Sequence, residues 1–330
     1  MDRHKKADMK AIVLNKPGGP ESFSIQERPI PKPVEGWVLI KVKAFGLNRS
    51  ELMTRKGLSP NVSFPRILGI ECVAEVENDP SGKFKPGQKV AAFMGGMGRD
   101  FDGSYAEYAV LPIDLLSPFE STLEWQQLAA IPEMFQTVHG SLHLALKVNK
   151  GDSILIRGGT SSIGMLAIQM ARIYGLKVIA TTRNMEKSSL LLNNGAHKVL
   201  IDSGKLKNQI REIETEGVDK VLELIGTATL KDSLACSKRG GIVCMTGMLS
   251  EEWAFHEFAP MEAIPATVSL TTYDSGQIRV GEHYLQQFIE AVEKGAIRLN
   301  IASTFRLEEI TQAHQFMESN TAAGKIVILT

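Results

Sequence analysis

Hydrophobic positions along the chain change their period twice, and those changes divide it. Between residues 9 and 111, short apolar or alternating runs at 10–14, 23–27, 38–45, 67–77, 89–93 and 105–111 are separated by turn clusters such as Pro17-Gly18-Gly19-Pro20 and Pro29-Ile30-Pro31-Lys32-Pro33. Runs of that length bounded by Gly and Pro predict strands, so this part reads as a β-rich domain. Near Leu123 the pattern lengthens, and Leu128-Ala129-Ala130-Ile131-Pro132 opens an apolar helical segment continuing through Val138 and Leu142 to Leu146. From residue 153, strand-like runs at 153–157, 177–183, 197–201, 219–225 and 242–246 alternate with helical patterns at 165–175, 186–194, 206–216 and 230–237. That alternation is the signature of a doubly wound parallel sheet. Residues 250–265 are irregular and contain two prolines; beyond them come a strand at 268–272, helices at 282–294 and 307–318, and a last strand at 325–329.

The first strand-to-helix junction of the alternating region carries the clearest chemistry. Gly158-Gly159-Thr160-Ser161-Ser162-Ile163-Gly164 is a turn of small residues entering a helix. Free N–H groups and the positive end of a helix dipole favour a phosphate there, and small residues let the backbone approach it. In the G-x-G-x-x-G spacing the turn presents Gly159, Ser161 and Gly164, with serine at the middle glycine. Serine is small and its hydroxyl can donate to phosphate; an ordinary βα turn is the other reading. At the end of the second strand, where an NAD site has an acid for the ribose diol, stand Thr182 and Arg183, with Lys187 a helical turn later. A guanidinium suits a 2′-phosphate that a carboxylate would repel, so NADP(H) is the expected cofactor. Solvated charges at a helix start are the alternative.

Composition narrows the class. The 330 residues suffice for two domains, and 37 basic residues balance 37 acidic ones. Neutrality without long basic runs argues against nucleic acid. No apolar run is long enough to span a bilayer, and the N-terminus has no signal core. Residues 1–8 are polar and read as a tail before the fold. Cys72, Cys236 and Cys244 show no metal spacing, which suits a reduced, cytoplasmic protein.

Several segments together resemble the medium-chain dehydrogenase/reductase superfamily, in its zinc-free quinone oxidoreductase-like branch. They are Gly46-Leu47-Asn48, Pro65-Arg66-Ile67-Leu68-Gly69-Ile70-Glu71, Phe84-Lys85-Pro86-Gly87-Gln88-Lys89-Val90, Gly103-Ser104-Tyr105-Ala106-Glu107-Tyr108, the glycine turn, Gly217-Val218-Asp219 and Gly324-Lys325-Ile326-Val327. The resemblance covers nearly the whole chain from Met9. It implies a chaperonin-10-like (GroES-like) β-barrel catalytic domain built from residues 1–126 and a returning part at 265–330. A Rossmann dinucleotide-binding domain at 127–264 is inserted between them. It also implies a homodimer formed through the nucleotide domain.

Zinc-bearing relatives place a cysteine at or beside Asn48 and a histidine where this chain has Ile70, and they hold a second zinc with four cysteines in a lobe that has none here. No metal site is therefore expected, and Cys72 reads as a small core residue. What remains is hydride transfer to a quinone or to the β-carbon of an α,β-unsaturated carbonyl. By resemblance, Asn48 lies near the nicotinamide and donates its amide to a substrate oxygen, unless it is a loop asparagine bonding its own backbone. Tyr273 stands in for a tyrosine that the branch often carries where this chain has Met53, unless it only packs. Thr137 opens the helix beneath the nicotinamide, Gly226 and Gly247 border the cofactor at strand ends, and the turn residues Gly159, Thr160, Ser161, Ser162, Ile163 and Gly164 take the pyrophosphate. His139 reads as structural, and Arg49 and Glu51 as solvated charges that could pair on the surface. An enoyl reductase acting on a carrier-bound or acylated substrate, and an NADPH-binding protein without strong turnover, are the competing functions.

Overall fold

The computed structural model describes residues 8–252 and 254–330. The polar tail expected over residues 1–8 falls outside them except for Asp8, which opens the first strand. Contacts divide the chain into two compact units, one holding the chain up to Glu133 together with Gly281–Thr330, the other Met134–Val280.

In the first unit β1 (Asp8–Leu14) pairs antiparallel with β2 (Phe23–Pro29), and β3 (Trp37–Gly46) runs into the short helix α1 (Arg49–Arg55). β4 (Arg66–Ile67), β5 (Glu71–Asn78), β6 (Lys89–Phe93), β7 (Tyr108–Pro112) and β8 (Leu116–Pro118) follow. The alternation read from the sequence is visible as burial: β7 alternates between half-buried and buried, and β3 exposes Lys41 between buried neighbours.

The second unit is the doubly wound sheet. After α2 (Trp125–Leu128) and α3 (Pro132–His139), the chain enters β9 (Ser153–Arg157), α4 (Ser162–Ile173), β10 (Lys177–Thr182), α5 (Ser188–Asn193), β11 (Lys198–Ile201), α6 (Lys207–Ile213), β12 (Val218–Glu223), α7 (Thr227–Cys236) and β13 (Ser237–Met245). β9 is buried along its full length, as befits a central parallel strand covered on both faces. A short α8 (Pro260–Ala263) precedes β14 (Ser269–Thr272), which pairs parallel with β13. The strand order β11-β10-β9-β12-β13-β14 reverses direction between β9 and β12, and a doubly wound sheet binds its ligand at that switch point.

β14 changes the expected return to the barrel. The sequence placed residues 265 onward in the returning part, whereas the sixth strand belongs to the nucleotide sheet and the unit ends at Val280. The irregular stretch before β14 separates it from the last clear βα repeat, which hides its membership. The chain then adds α9 (Glu282–Glu293), β15 (Ile301–Arg306), α10 (Ile310–Glu318) and β16 (Lys325–Leu329) to the first unit. There β16 pairs antiparallel with β3 and parallel with β15, completing the sheet β15-β16-β3-β5-β6-β8. No helix among the described residues is long and apolar enough to cross a membrane.

Candidate active site

The nucleotide unit builds a phosphate cradle where β9 meets α4. Gly158 has φ +90, and at Gly164 an added Cβ would lie 2.4 Å from the Gly158 carbonyl oxygen. Glycine is required at Gly164 for space and at Gly158 for conformation. The turn leaves the N–H groups of Thr160, Ser162 and Ile163 without an acceptor among the described residues, at the positive end of a twelve-residue helix. A helix N-terminus with free N–H groups suits an anion, so these residues fit the pyrophosphate of a dinucleotide. Ser161 serves the turn itself, because its hydroxyl donates to Gly158 O at 2.8 Å and accepts from Gly164 N–H at 3.0 Å, capping α4. With that proton engaged, the serine replacing the middle glycine is a helix cap before it is a phosphate ligand.

Behind the cradle, β9 ends on a buried ion network. Arg157 is fully buried; its guanidinium grips Asp202 with Nε and Nη2 at 2.8 and 2.9 Å and reaches Asp232 Oδ2 at 2.8 Å and Ser233 Oγ at 3.0 Å. Burial opposes ionisation of Asp202, but Arg157 outweighs it and holds the carboxyl below the usual carboxylate range. Glu223, pushed up by burial, accepts the N–H groups of Ile225 and Gly226 at 2.6 and 3.1 Å and so fixes the loop that starts α7. Gly226 sits there at φ +112, and at Gly247 a Cβ would come 2.5 Å from Leu224 O. Both glycines stand where backbone approaches backbone at the ends of β12 and β13.

Where an acid for the ribose would stand at the end of β10, the chain has Thr182 and Arg183. Thr182 is buried and closes a turn on Asn184, Arg183 is exposed and forms no ion pair among the described residues, and Lys187 is half-buried at the start of α5. Asp202, the acid that follows the neighbouring β11, is committed to Arg157.

The helix expected beneath the nicotinamide holds Thr137, which is buried. Gln136 beside it clamps the segment leading out of the unit, donating to Ile278 O at 2.6 Å and accepting from Val280 N–H at 2.9 Å. His139 is buried against Phe135 and His143, a packing position. Tyr273 is also buried: its ring lies where a Cβ on Gly140 would be, and its hydroxyl donates to Ile278 O at 3.0 Å. The phenol thus wedges against the π-helical turn Gly140–Ala145, and its proton is held by the main chain.

In the other unit, Asn48 caps α1 within a group of buried charges. Its N–H donates to Glu51 Oε2 at 3.1 Å, its amide Nδ2 to Glu71 Oε1 at 2.9 Å, and its Oδ1 accepts from Lys325 Nζ at 2.6 Å. Lys325 also meets Glu71 Oε1 at 2.6 Å, with side-chain exposures of 2% and 0%. Glu51 Oε1 accepts Ile70 N–H, and Glu71 Oε2 accepts Glu133 N–H. This corrects the surface reading of Glu51, which is 1% exposed, while Arg49 bonds Asn320. Glu51, Glu71 and Lys325 form a centre that sequence reasoning missed, although the Asn48-x-x-Glu51 spacing is a capping-box signal.

Burial, reinforced by the charge of Glu71 and opposed by Lys325, lifts the Glu51 carboxyl to about 7. A folded-state value above the unfolded one means that the native protein keeps this proton after the unfolded chain has lost it. The contribution is full below about pH 4.5 and disappears as the pH rises to about 7, amounting to on the order of 3 kcal/mol. Melting temperature against pH should therefore fall more steeply across that window in the wild type than in Glu51→Gln; equal slopes would refute the assignment.

With these geometries in place, similarity to known proteins decides the family. Residues 34–121 match the family described as "Alcohol dehydrogenase GroES-like domain" and residues 194–328 the one described as "Zinc-binding dehydrogenase". The quinone oxidoreductase of Rattus norvegicus is 31% identical, with 97% of this chain and 98% of that protein aligned. The chain belongs to the medium-chain dehydrogenase/reductase superfamily, in its zinc-free quinone oxidoreductase-like branch. It is an oxidoreductase of GroES-like plus Rossmann architecture. The acryloyl-coenzyme A reductase of Metallosphaera sedula is 24% identical over 98% of this chain and all of that protein. A mycobacterial structure described as complexed with NADPH superposes with a TM-score of 0.86 at 25% identity, covering 98% of this chain and all of that one.

Although one of these family descriptions names zinc, the donor set of this member does not suit it. The positions that zinc-bearing relatives use hold Asn48 and Ile70; the acids nearby are bonded to N–H groups and to the Lys325 ammonium, and burial pushes the Cys72 thiol up, away from thiolate. Among the described residues no three His, Cys, Asp or Glu side chains are grouped to hold a metal.

Proposed function

We propose that this protein is a zinc-independent, NADPH-dependent reductase that delivers a hydride to quinones or to the C=C bond of α,β-unsaturated carbonyls. The observation that carries the cofactor half is the end of β10: an exposed Arg183 with no ion pair among the described residues and a nearby Lys187, while Asp202, the acid after the neighbouring β11, is locked onto Arg157. The glycine cradle supports a dinucleotide, and the mycobacterial neighbour described with NADPH supports the phosphorylated one.

NADPH, when bound, supplies the hydride. Gly159, Thr160, Ser161, Ser162, Ile163 and Gly164 would hold its pyrophosphate, Thr182, Arg183 and Lys187 its 2′-phosphate end, and Thr137, Gly226 and Gly247 the nicotinamide side. An acceptor taking hydride at its β-carbon becomes an enolate, whose oxygen needs a donor; the Asn48 amide is the group assigned to it. The α-carbon then takes a proton from solvent, because the Tyr273 O–H is engaged in a hydrogen bond to Ile278 O. The resemblance to a reductase named for acryloyl-coenzyme A favours a second reading, an acylated acceptor in place of a free enal. The reading also includes a cytoplasmic homodimer joined through the nucleotide unit, in which β14 is the edge strand of the sheet among the described residues.

Oxidation of NADPH and NADH, followed by absorbance against a panel of quinones, enals and an acyl thioester, tests this. NADPH should be preferred, and Arg183→Ala should erase the preference, raising KM for NADPH about 10- to 100-fold as expected for one lost charge-assisted contact. Preference for NADH would overturn the cofactor assignment, and binding of NADPH without consumption on any acceptor would overturn the reductase.

A further inference from the structure

We propose that Lys325 is a positioning residue for the reduction: its ammonium, seated between Asn48 and Glu71, fixes which way round the Asn48 amide stands and so keeps an amide N–H for the acceptor oxygen. The inference rests on the role given above to Asn48.

An asparagine amide can be turned over with little change of shape, so its orientation is decided by its neighbours. Here both neighbours are charged and buried. Lys325 Nζ lies 2.6 Å from Oδ1, and Glu71 Oε1 accepts from Nδ2 at 2.9 Å. Turning the amide over would set its NH2 against the ammonium and its oxygen against the carboxylate, replacing two attractions with two repulsions in a site of low dielectric. One Nδ2 proton goes to Glu71. Among the described residues the other has only contacts of 3.5 Å, to Gly46 O and Glu51 Oε1, at the outer limit of a hydrogen bond. That proton remains for a ligand.

The chain is shaped to bring Lys325 there. β16 pairs with the end of β3 in a register that sets Val327 opposite Gly46, and Lys325 N–H is held by Asn300 O at 2.7 Å. Gly46 has no side chain to block the lysine: a Cβ there would lie 2.2 Å from Lys325 Cε and 2.6 Å from Glu71 Oε1. Glu71 is itself held from its other oxygen by Glu133 N–H at 2.8 Å, so it cannot follow a wandering lysine. A surface lysine would have none of these restraints; this one is a fixed charge next to the residue assigned to the substrate.

The test compares kcat and KM of wild type, Lys325→Arg, Lys325→Met, the charge-neutral pair Glu71→Gln with Lys325→Met, Asn48→Ala, and Asn48→Ala with Lys325→Met, alongside NADPH binding by fluorescence. Lys325→Met and the charge-neutral pair should lower kcat roughly 10- to 100-fold with NADPH affinity unchanged, as misplacement of a reacting group does. Lys325→Arg should recover most of it, and Lys325→Met should cost nothing further once Asn48 is alanine. If Asn48→Ala is slow while the Lys325 variants stay within about twofold of wild type, the proposal is overturned and the reductase stands. A second readout does not depend on turnover. The two side-chain amide protons of Asn48, assigned in proton–nitrogen spectra by Asn48→Asp, should differ widely in shift in wild type and Lys325→Arg and converge in Lys325→Met. An unchanged pair overturns the positioning role even if the wild type reduces nothing in the panel.

Discussion

Replacing Arg157 with leucine is expected to destabilise the nucleotide unit by about 3–5 kcal/mol, the cost of leaving buried partners of a removed charge uncompensated. Asp202 has a side-chain exposure of 7% and Asp232 one of 18%, and Glu223 is fully buried nearby. The loss also disconnects three elements, because the one guanidinium joins the end of β9 to the residue after β11 and to α7. Urea unfolding of the full chain measures it. Arg157→Lys should recover only part, since an ammonium cannot bond Asp202 in a fork and Asp232 together. Adding Asp202→Asn and Asp232→Asn to Arg157→Leu should restore stability by removing the stranded charges. A loss below about 1 kcal/mol would show that the network is not the brace described.

Gly164→Val should abolish tight dinucleotide binding, weakening it at least about 100-fold, on the scale by which misplaced binding groups act. The Cβ would lie 2.4 Å from Gly158 O and 2.8 Å from Gly159 C and Cα, all of them main chain, so the turn itself must move. Its N–H groups would move with it. Ser162→Ala, which leaves the backbone in place, should cost only a few-fold, about the worth of one hydrogen bond. Fluorescence titration with NADPH separates the two; equal affinities in Gly164→Val and wild type would remove the cradle from the binding site.

The nucleotide unit was legible because its signals are local. A mostly apolar run at 153–157, a small-residue turn and a helix closed at Gly175 are each readable within about twenty residues, and successive repeats reinforce one another. What the sequence hid was non-local. Glu51 and Arg55 look like the polar face of an exposed helix, yet both are buried because Lys325 and Glu318, each more than two hundred residues away, complete their charges. β15, at 301–306, was missed because it has little alternation of its own, with all of its residues half-buried or exposed. The resemblance named Asn48, but only the fold shows that its amide is oriented by an ammonium from the last strand. Tyr273 reads as reactive in a motif-based view, and only the fold shows its hydroxyl bonded to Ile278 O.

The pairing of β16 with β3 has a consequence for how the protein is made. Lys325 leaves the ribosome more than two hundred residues after Gly46, so at roughly 5–20 residues per second the nascent barrel waits on the order of tens of seconds for the strand that pairs with the end of β3. Throughout that interval the growing chain carries an open sheet edge and the Glu71 side chain without its cation. The nucleotide unit, continuous in sequence, needs no such wait and can fold while its host is still incomplete. A stop codon just before Lys325 would thus remove a barrel strand and the charge beside Asn48 in one event.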